Sequence, residues 1–195
     1  GLLSEMVMEY KFYSRRYYAG VFARLMTEVI MELSEAGAEE YVIVPLPTIS
    51  RHIRERGFDH IGFLCDKMAA KYGFKVERLL ERANSAVQVG SSAEQRLEQA
   101  RIASGVHLDE KSHYLLVDDV WTTGASMRSA RAVLAEEIMR KAEVMGNRRA
   151  MKKEERVKKE RSVRAVGGEK DTGNEKSSIK ISAIVIAKND GYEFK

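Results

Sequence analysis

The fold of this 195-residue chain is decided by the stretch Leu116-Val117-Asp118-Asp119-Val120-Trp121-Thr122-Thr123-Gly124-Ala125-Ser126. An apolar run ends in two adjacent aspartates, and a short turn rich in Thr, Gly and Ser leads into a helical pattern. This order predicts a strand, an acidic strand end, a small-residue loop and a helix N-terminus. Backbone N–H groups at a helix N-terminus suit a phosphate, whereas two carboxylates suit sugar hydroxyls or hydrated Mg²⁺. The stretch therefore predicts a site for a phosphorylated sugar; the alternative is a strand end with solvated acids and a helix cap.

Length and composition are typical of a soluble globular domain. The chain is 44% hydrophobic and 32% charged, and a chain of this length can bury a substantial core, so we expect a single domain over residues 1–195. No apolar run approaches the ~20 residues that span a bilayer, and no basic-then-apolar leader opens the chain. The one cysteine, Cys65, cannot form an intrachain disulfide or a cysteine zinc site. These features predict a cytoplasmic protein that does not enter a membrane.

Positive charge is concentrated towards the C-terminus. The net charge is +4, and residues 148–164 hold nine Lys or Arg against three Glu, so the rest of the chain is slightly acidic. Glu154 and Glu155 each precede a lysine by four residues, the order that stabilises a solvated helix. We therefore interpret residues 145–178 as a charged insertion before the last strand. Its basic run is expected to be a solvated helix face; contact with nucleic acid is the alternative.

Hydrophobic periodicity predicts helices that alternate with strands. Strands are predicted for the apolar segments 41–44, 74–80, 114–117 and 179–187. Helices are predicted over 18–33, 61–72 and from Ser126 to Ile138. The first of these helices is expected to bury the stripe Tyr18, Val21, Phe22, Leu25, Met26, Val29, Ile30 and Leu33. A strand, a helix and a strand in this order form a βαβ unit, so we expect a parallel sheet.

Two other segments leave alternatives open. Residues 9–18 interleave aromatic and basic side chains, which favours a half-buried helix start; base stacking with nucleic acid is the alternative. Residues 81–105 are polar and have no strand period, which predicts a functional loop or a linker in which part of 93–103 is helical.

The stretch at 116–126 closely resembles the motif that binds phosphoribosyl pyrophosphate (PRPP) in type I phosphoribosyltransferases: an apolar strand, two acids and a Thr/Ser-Gly loop. Further motifs extend the resemblance to the ComF family, whose members have the phosphoribosyltransferase fold and are linked to DNA uptake and competence in bacteria. These motifs are Val44-Pro45-Leu46-Pro47, Arg54-Glu55-Arg56-Gly57-Phe58, Arg82, Gln88 and Arg96. The resemblance covers about residues 6–140 and resumes near residue 179.

Four features depart from the ComF pattern. The chain has Asp59-His60 where the family usually has Asn-Gln, and Gln99 where the family usually has Asn. It has no N-terminal four-cysteine zinc ribbon, and the insertion at 145–178 is not typical of the family. These departures bear on the acceptor site and on partner surfaces.

The resemblance implies a role for each motif. Asp118 and Asp119 would accept hydrogen bonds from the ribose hydroxyls, and Mg²⁺ would bind beside them, mostly through substrate and water. The sugar and its 5′-phosphate would also contact Val120, Thr122, Thr123, Gly124, Ala125 and Ser126. The pyrophosphate would meet the loop of Pro45, Leu46, Pro47 and Thr48, which two prolines stiffen. Mobile-loop or basic contacts are implied for Arg54, Arg56, Arg82, Gln88 and Arg96.

These roles imply a three-layer α/β fold of the type I phosphoribosyltransferase kind, with a central parallel sheet and the site at its strand C-termini. A small hood would come from the N-terminal segment or from elsewhere in the chain. The implied function is PRPP binding in competence, with transfer of phosphoribosyl to an unknown acceptor and release of pyrophosphate. Two alternatives stay open: a purine or pyrimidine salvage phosphoribosyltransferase, and a non-catalytic module that binds single-stranded DNA or a competence helicase partner. No general base for a nucleobase acceptor is identified; His60 and His107 are candidates.

Overall fold

A computed structural model describes residues 1–34, 40–82, 100–106, 108, 112–161 and 180–188, with the backbone alone at residues 121, 187 and 188 and over 145–161. Within these ranges the helices are α1 (Leu2–Phe12), α2 (Tyr18–Leu33), α3 (Ser50–Arg56), α4 (His60–Tyr72) and α5 (Ala125–Arg161). The strands are β1 (Tyr41–Pro45), β2 (Lys75–Val76), β3 (Leu80–Arg82), β4 (Ala100–Ile102), β5 (His113–Trp121) and β6 (Lys180–Lys188).

The main sheet is parallel and has the strand order β2-β1-β5-β6. In the pairing of β1 with β5, Tyr41 lies opposite His113 and Pro45 lies opposite Val117. The C-terminal ends of parallel strands share one edge of a sheet, so the loop after β1 lies beside the acidic end of β5. The predicted parallel sheet and its βαβ unit, β1 to β2 through α3 and α4, are therefore confirmed.

Helices cover both faces of this sheet. Side chains alternate between the faces of a strand, and Ile43 and Val117 enter a core with α1, α2 and α4. Val42, Val44 and Leu116 point to the other face and enter a core with α5. The predicted three-layer α/β architecture is confirmed.

A second, two-stranded sheet differs from the sequence prediction. β3 and β4 are antiparallel, with Leu80 opposite Ile102 and Arg82 opposite Ala100. The strand predicted over 74–80 is thus divided between β2 and β3, and Ala100–Ile102, within the segment of which part was predicted to be helical, forms a strand. Both differences arise from the pairing of β3 with β4, which are distant in the sequence. The local periodicity of either segment does not reveal that pairing. Residues 83–99 lie outside the described residues, with Gln88, Arg96 and Gln99 among them.

The buried face of α2 also differs from the prediction. Phe22, Met26 and Ile30 are buried as predicted, but the other apolar residues of the predicted stripe are exposed or half-buried: Tyr18, Val21, Leu25, Val29 and Leu33. The buried face includes instead the small or polar residues Ala19, Ala23 and Thr27. The apolar stripe of α2 is therefore wider than the face that α1 and α4 cover.

Helix α5 continues past its predicted end near residue 138 and runs without a break to Arg161. The helix predicted for the first half of the charged insertion is therefore confirmed. The side chains of its basic run and residues 162–178 lie outside the described part of the chain.

Candidate functional site

A cavity of about 440 Å³ opens where β1 and β5 end, within the size range of small-molecule sites. The end of β5, the following loop and the start of α5 contribute Asp118, Asp119, Val120, Thr122 and Ser126, and the loop after β1 contributes Leu46, Pro47, Thr48 and Ile49. Helix α1 contributes Val7, Met8, Lys11 and Phe12, and the remaining lining residues are His52, Arg56, His60 and Arg82. Two motifs predicted from separate stretches thus line one cavity. They are the acid pair, Asp118 and Asp119, and the proline loop, residues 45–48, of which Leu46, Pro47 and Thr48 line it.

Asp119 is buried and held by two donors. Its side chain is 5% exposed, and its Oδ2 atom lies 2.7 Å from Lys11 Nζ and 2.8 Å from His60 Nε2. Burial opposes ionisation of this carboxyl, but the hydrogen bond from His60 and the positive charge of Lys11 outweigh it and lower the pKa of Asp119. Asp119 is therefore an ionised carboxylate with one oxygen already engaged.

Asp118 has the opposite electrostatic character. It is half-buried, and its Oδ1 atom accepts the backbone N–H of Asp119 at 2.9 Å. Burial and the adjacent negative charge of Asp119 raise the pKa of Asp118 to about 7. The two neighbouring carboxyls therefore differ in protonation near neutral pH, as paired acids in ligand sites often do.

His60 connects Asp119 to Arg56. The Nη1 atom of Arg56 lies 2.9 Å from His60 Nδ1, and a guanidinium can only donate. Nδ1 therefore accepts, so the ring hydrogen resides on Nε2, from which it is donated to Asp119. This geometry favours a positioning role for His60 over the general-base role that the sequence left open.

Two contacts hold helix α1 against the elements around this acid pair. The hydroxyl of the fully buried Tyr10 donates to the backbone carbonyl of His60, and the next residue, Lys11, pairs with Asp119. Helix α1 therefore forms one wall of the cavity. Sequence reasoning missed both residues, although Val7, Tyr10 and Lys11 have the spacing that shares one helix face.

The loop between β5 and α5 lines a smaller cavity of about 30 Å³ beside the first. Residues predicted to contact the sugar phosphate line it: Asp118, Val120, Thr122, Gly124, Ala125 and Ser126. Gly124 has φ 72°, a left-handed conformation that favours glycine, and turns the chain into α5. Thr123 is exposed and does not line this cavity; its Oγ1 atom accepts the N–H of Ala125 at 3.2 Å and caps the helix.

The proline loop is held at three points. Its Leu46 N–H donates to the carbonyl of Val117 at 2.9 Å, which ties it to β5. Thr48 Oγ1 donates to Asp59 Oδ1 at 2.8 Å. The Nε of Arg82 donates to the carbonyl of Pro47 at 2.8 Å. The loop is therefore held in place before any ligand arrives.

Another cavity, of about 370 Å³, lies against the same loop. Three arginines line it, Arg78, Arg82 and Arg101. Two of them have carboxylate partners: Arg101 lies 3.1 Å from Glu81, and Arg78 lies 2.9 Å from Asp66.

The arginines predicted to contact a ligand differ in position. Arg56 and Arg82 line the main cavity, whereas Arg54 is exposed on α3 and lines neither it nor its neighbours. Arg54 points away from Arg56 because alternate residues on a short helix point in different directions, and its contact with a ligand stays a prediction. His107 and the side chain of Trp121 lie outside the described part of the chain, so their roles stay predictions.

Comparison with known proteins identifies a distant relative. The chain is 28% identical over 134 residues to the competence protein ComFC of Streptococcus pneumoniae. The aligned region covers 69% of this chain and 57% of that protein, so the chain spans little more than half of the relative's length. No protein-family model matches the chain. The similarity supports a ComF-like chain.

No helix in the described ranges combines the length needed to cross a membrane with sufficient apolar character.

Proposed function

We propose that this protein is a ComF-like PRPP-binding protein with a competence-related function. The observation that carries the proposal is the convergence of three motifs on adjoining cavities: the acid pair, the β5–α5 loop and the proline loop. PRPP has three groups with matching chemistry, a 5′-phosphate, a ribose diol and a pyrophosphate. The similarity to ComFC supports the competence-related part of the proposal.

The proposed ligand lies across both cavities. Its 5′-phosphate occupies the small cavity, where N–H groups at the start of α5 and the hydroxyls of Thr122 and Ser126 suit an anion. The ribose diol donates to Asp118 and Asp119. The pyrophosphate reaches the proline loop at Pro47 and Thr48.

Mg²⁺ fits the chemistry of the donor set, because it prefers oxygen ligands and keeps several of its waters. The Oδ2 atom of Asp119 already accepts two hydrogen bonds, so we assign Asp118 as the carboxylate that would face the metal. When bound, Mg²⁺ would neutralise part of the charge on the pyrophosphate. Among the described residues, no three His, Cys, Asp or Glu side chains converge on a metal position.

We further propose that the site transfers the phosphoribosyl group. The bond between ribose C1 and the pyrophosphate oxygen breaks, its electron pair leaves with pyrophosphate, and the acceptor forms the new bond to C1. The acid pair fixes the ribose, and the cavity limits access of water to C1. The wall of Val7, Met8 and Phe12 on α1 suits the face of a flat acceptor such as a nucleobase.

Calorimetry with PRPP and Mg²⁺ tests the binding step. We expect Asp118→Asn to weaken PRPP binding about tenfold or more, because a charge-assisted hydrogen bond is lost. Asp66→Asn changes an exposed carboxylate outside the main cavity and serves as the matched control. A wild-type protein that does not bind PRPP would overturn the proposal.

A panel of purine and pyrimidine bases, with pyrophosphate release as the readout, tests the transfer step. Release that depends on one base supports a transferase and identifies the acceptor, which also decides the salvage alternative. PRPP binding without release for any base would restrict the proposal to binding.

One observation favours a second candidate, a non-catalytic module for single-stranded DNA. Residues 9–18 were predicted to form a half-buried helix start. Three aromatic side chains of this segment are instead exposed: Phe12 is 53% exposed, Tyr13 70% and Tyr17 63%. Arg15 and Arg16, which lie between Tyr13 and Tyr17 in the sequence, are also exposed. Surfaces that combine exposed rings with cations stack bases and attract phosphates. For this candidate, a Tyr13→Ala and Tyr17→Ala double variant should bind an oligonucleotide at least tenfold more weakly. Unchanged affinity would dismiss it.

A further inference from the structure

Positive charge is unevenly distributed between the two adjoining cavities. Asp118 lines both the 440 Å³ cavity and the 30 Å³ cavity. Of these two, the cationic side chains Lys11, Arg56 and Arg82 line the larger. A sugar phosphate whose phosphate occupies the small cavity would therefore meet these cations with its other end.

Each of these three cations already makes a contact within the protein. The Nε atom of Arg82 donates to the carbonyl of Pro47, and the Nη1 atom of Arg56 donates to His60. Lys11 is paired as well, but an ammonium has three N–H donors, and the ion pair with Asp119, its donor contact among the described residues, engages one of them. Its ammonium therefore retains donors for a ligand.

The position of Lys11 is fixed by its neighbours. It lies in the last turn of α1, beside Tyr10, which is fully buried and bonded to the backbone of His60. The Lys11 side chain is 25% exposed, and its Nζ lies 2.7 Å from Asp119 Oδ2. The ammonium is therefore held at the cavity wall by packing and by one short ion pair, so binding a ligand there requires little further ordering.

We infer that Lys11 is a ligand-binding residue whose ammonium bridges Asp119 and the pyrophosphate of PRPP, so that α1 completes the site on the leaving-group side. The inference rests on the proposed function. As the bond from C1 to the pyrophosphate oxygen breaks and its electron pair moves to that oxygen, Lys11 stabilises the charge that develops there. The other interpretation is that Lys11 only neutralises Asp119 and fixes α1.

Two ligands separate these interpretations, because PRPP has a pyrophosphate and ribose 5-phosphate does not. Calorimetry with Mg²⁺ measures both affinities for the wild type and Lys11→Met. We expect the variant to bind PRPP about tenfold or more weakly, with ribose 5-phosphate affinity changed by less than about twofold. Equal losses for both ligands, or no loss for PRPP, would overturn the inference.

Further variants keep the test decisive. Lys11→Gln retains an N–H donor for Asp119 but loses the charge, so it reproduces the selective loss if Lys11→Met proves too unstable to measure. Lys67→Met removes an exposed lysine of α4 that does not line the cavity, and it should leave both affinities unchanged. A wild-type protein that binds neither ligand overturns the proposed function itself. A wild type that binds PRPP, with a variant that loses both ligands equally, overturns only the inference about Lys11.

Discussion

Lys11 and Asp119 form a 2.7 Å ion pair that joins the last turn of α1 to the acidic end of β5. His60, at the start of α4, donates to the same carboxylate oxygen from another side. Asp119 is thus a junction between three elements, whereas Asp118 lines both cavities. The two aspartates therefore differ: Asp119 is engaged by α1 and α4, and Asp118 adjoins both cavities.

The raised pKa of Asp118 predicts how stability depends on pH. Burial and the charge of Asp119 raise this pKa from its ordinary value of 3.8 to about 7 in the folded protein, so between these pH values the folded state binds the proton more tightly than the unfolded chain. Asp118 should therefore contribute a fall in the free energy of unfolding as the pH rises from about 4 to about 7, and Asp118→Asn should remove that contribution. Urea denaturation across this range measures it. Identical pH slopes for both proteins would contradict the assignment.

The same carboxyl predicts proton release on ligand binding. Below pH 7 the free Asp118 is largely protonated, since its pKa is raised to about 7, whereas Mg²⁺ and a ribose hydroxyl both favour the carboxylate. PRPP binding should therefore release up to one proton at pH 6 and little at pH 8. Calorimetry in two buffers of different ionisation enthalpy counts the protons. A binding enthalpy independent of the buffer at pH 6 would rule this out.

The hydrogen bond from His60 to Asp119 predicts that two substitutions at position 60 differ. His60→Gln keeps an N–H donor and restores the residue usual in the ComF family, so it should cost less than about 1 kcal/mol of stability. His60→Leu leaves the buried carboxylate of Asp119 without this donor and should cost about 2–3 kcal/mol. Chemical denaturation compares the two variants. Equal losses would show that the hydrogen bond contributes nothing specific.

The bond from Tyr10 to the His60 carbonyl predicts how firmly α1 is attached. Tyr10→Phe keeps the buried ring and removes the hydroxyl, so it should lower the free energy of unfolding by about 1–2 kcal/mol because a buried hydrogen bond is lost. Tyr13→Phe, at an exposed ring one helix turn away, should have almost no effect. Thermal unfolding of both variants checks this. A Tyr10→Phe protein as stable as the Tyr13→Phe control would argue against the anchor.

Much of the architecture could be predicted because its signals are local. The apolar run ending in Asp118 and Asp119 predicted a strand with an acidic end, and the alternation of strands and helices predicted a parallel sheet. These two facts together explain why the proline loop after Pro45 and the acid pair lie at the same sheet edge.

The remaining features depend on contacts between distant segments. Lys11 reaches Asp119 only after α1 has packed on the sheet, and no local pattern in residues 9–18 specifies that position. The difference between Asp118 and Asp119 arises from burial and from Lys11 and His60, so adjacent residues of identical type looked equivalent in the sequence. The pairing of β3 with β4 and the outward position of Arg54 have the same origin.

A crystal structure with Mg²⁺ and PRPP bound would show whether the proposed site holds this ligand. We expect the 5′-phosphate in the small cavity between Thr122 and Ser126, the ribose diol within hydrogen-bonding distance of Asp118, and the pyrophosphate between the proline loop and Lys11. PRPP bound elsewhere on the molecule, or a sugar turned away from Asp118, would contradict it.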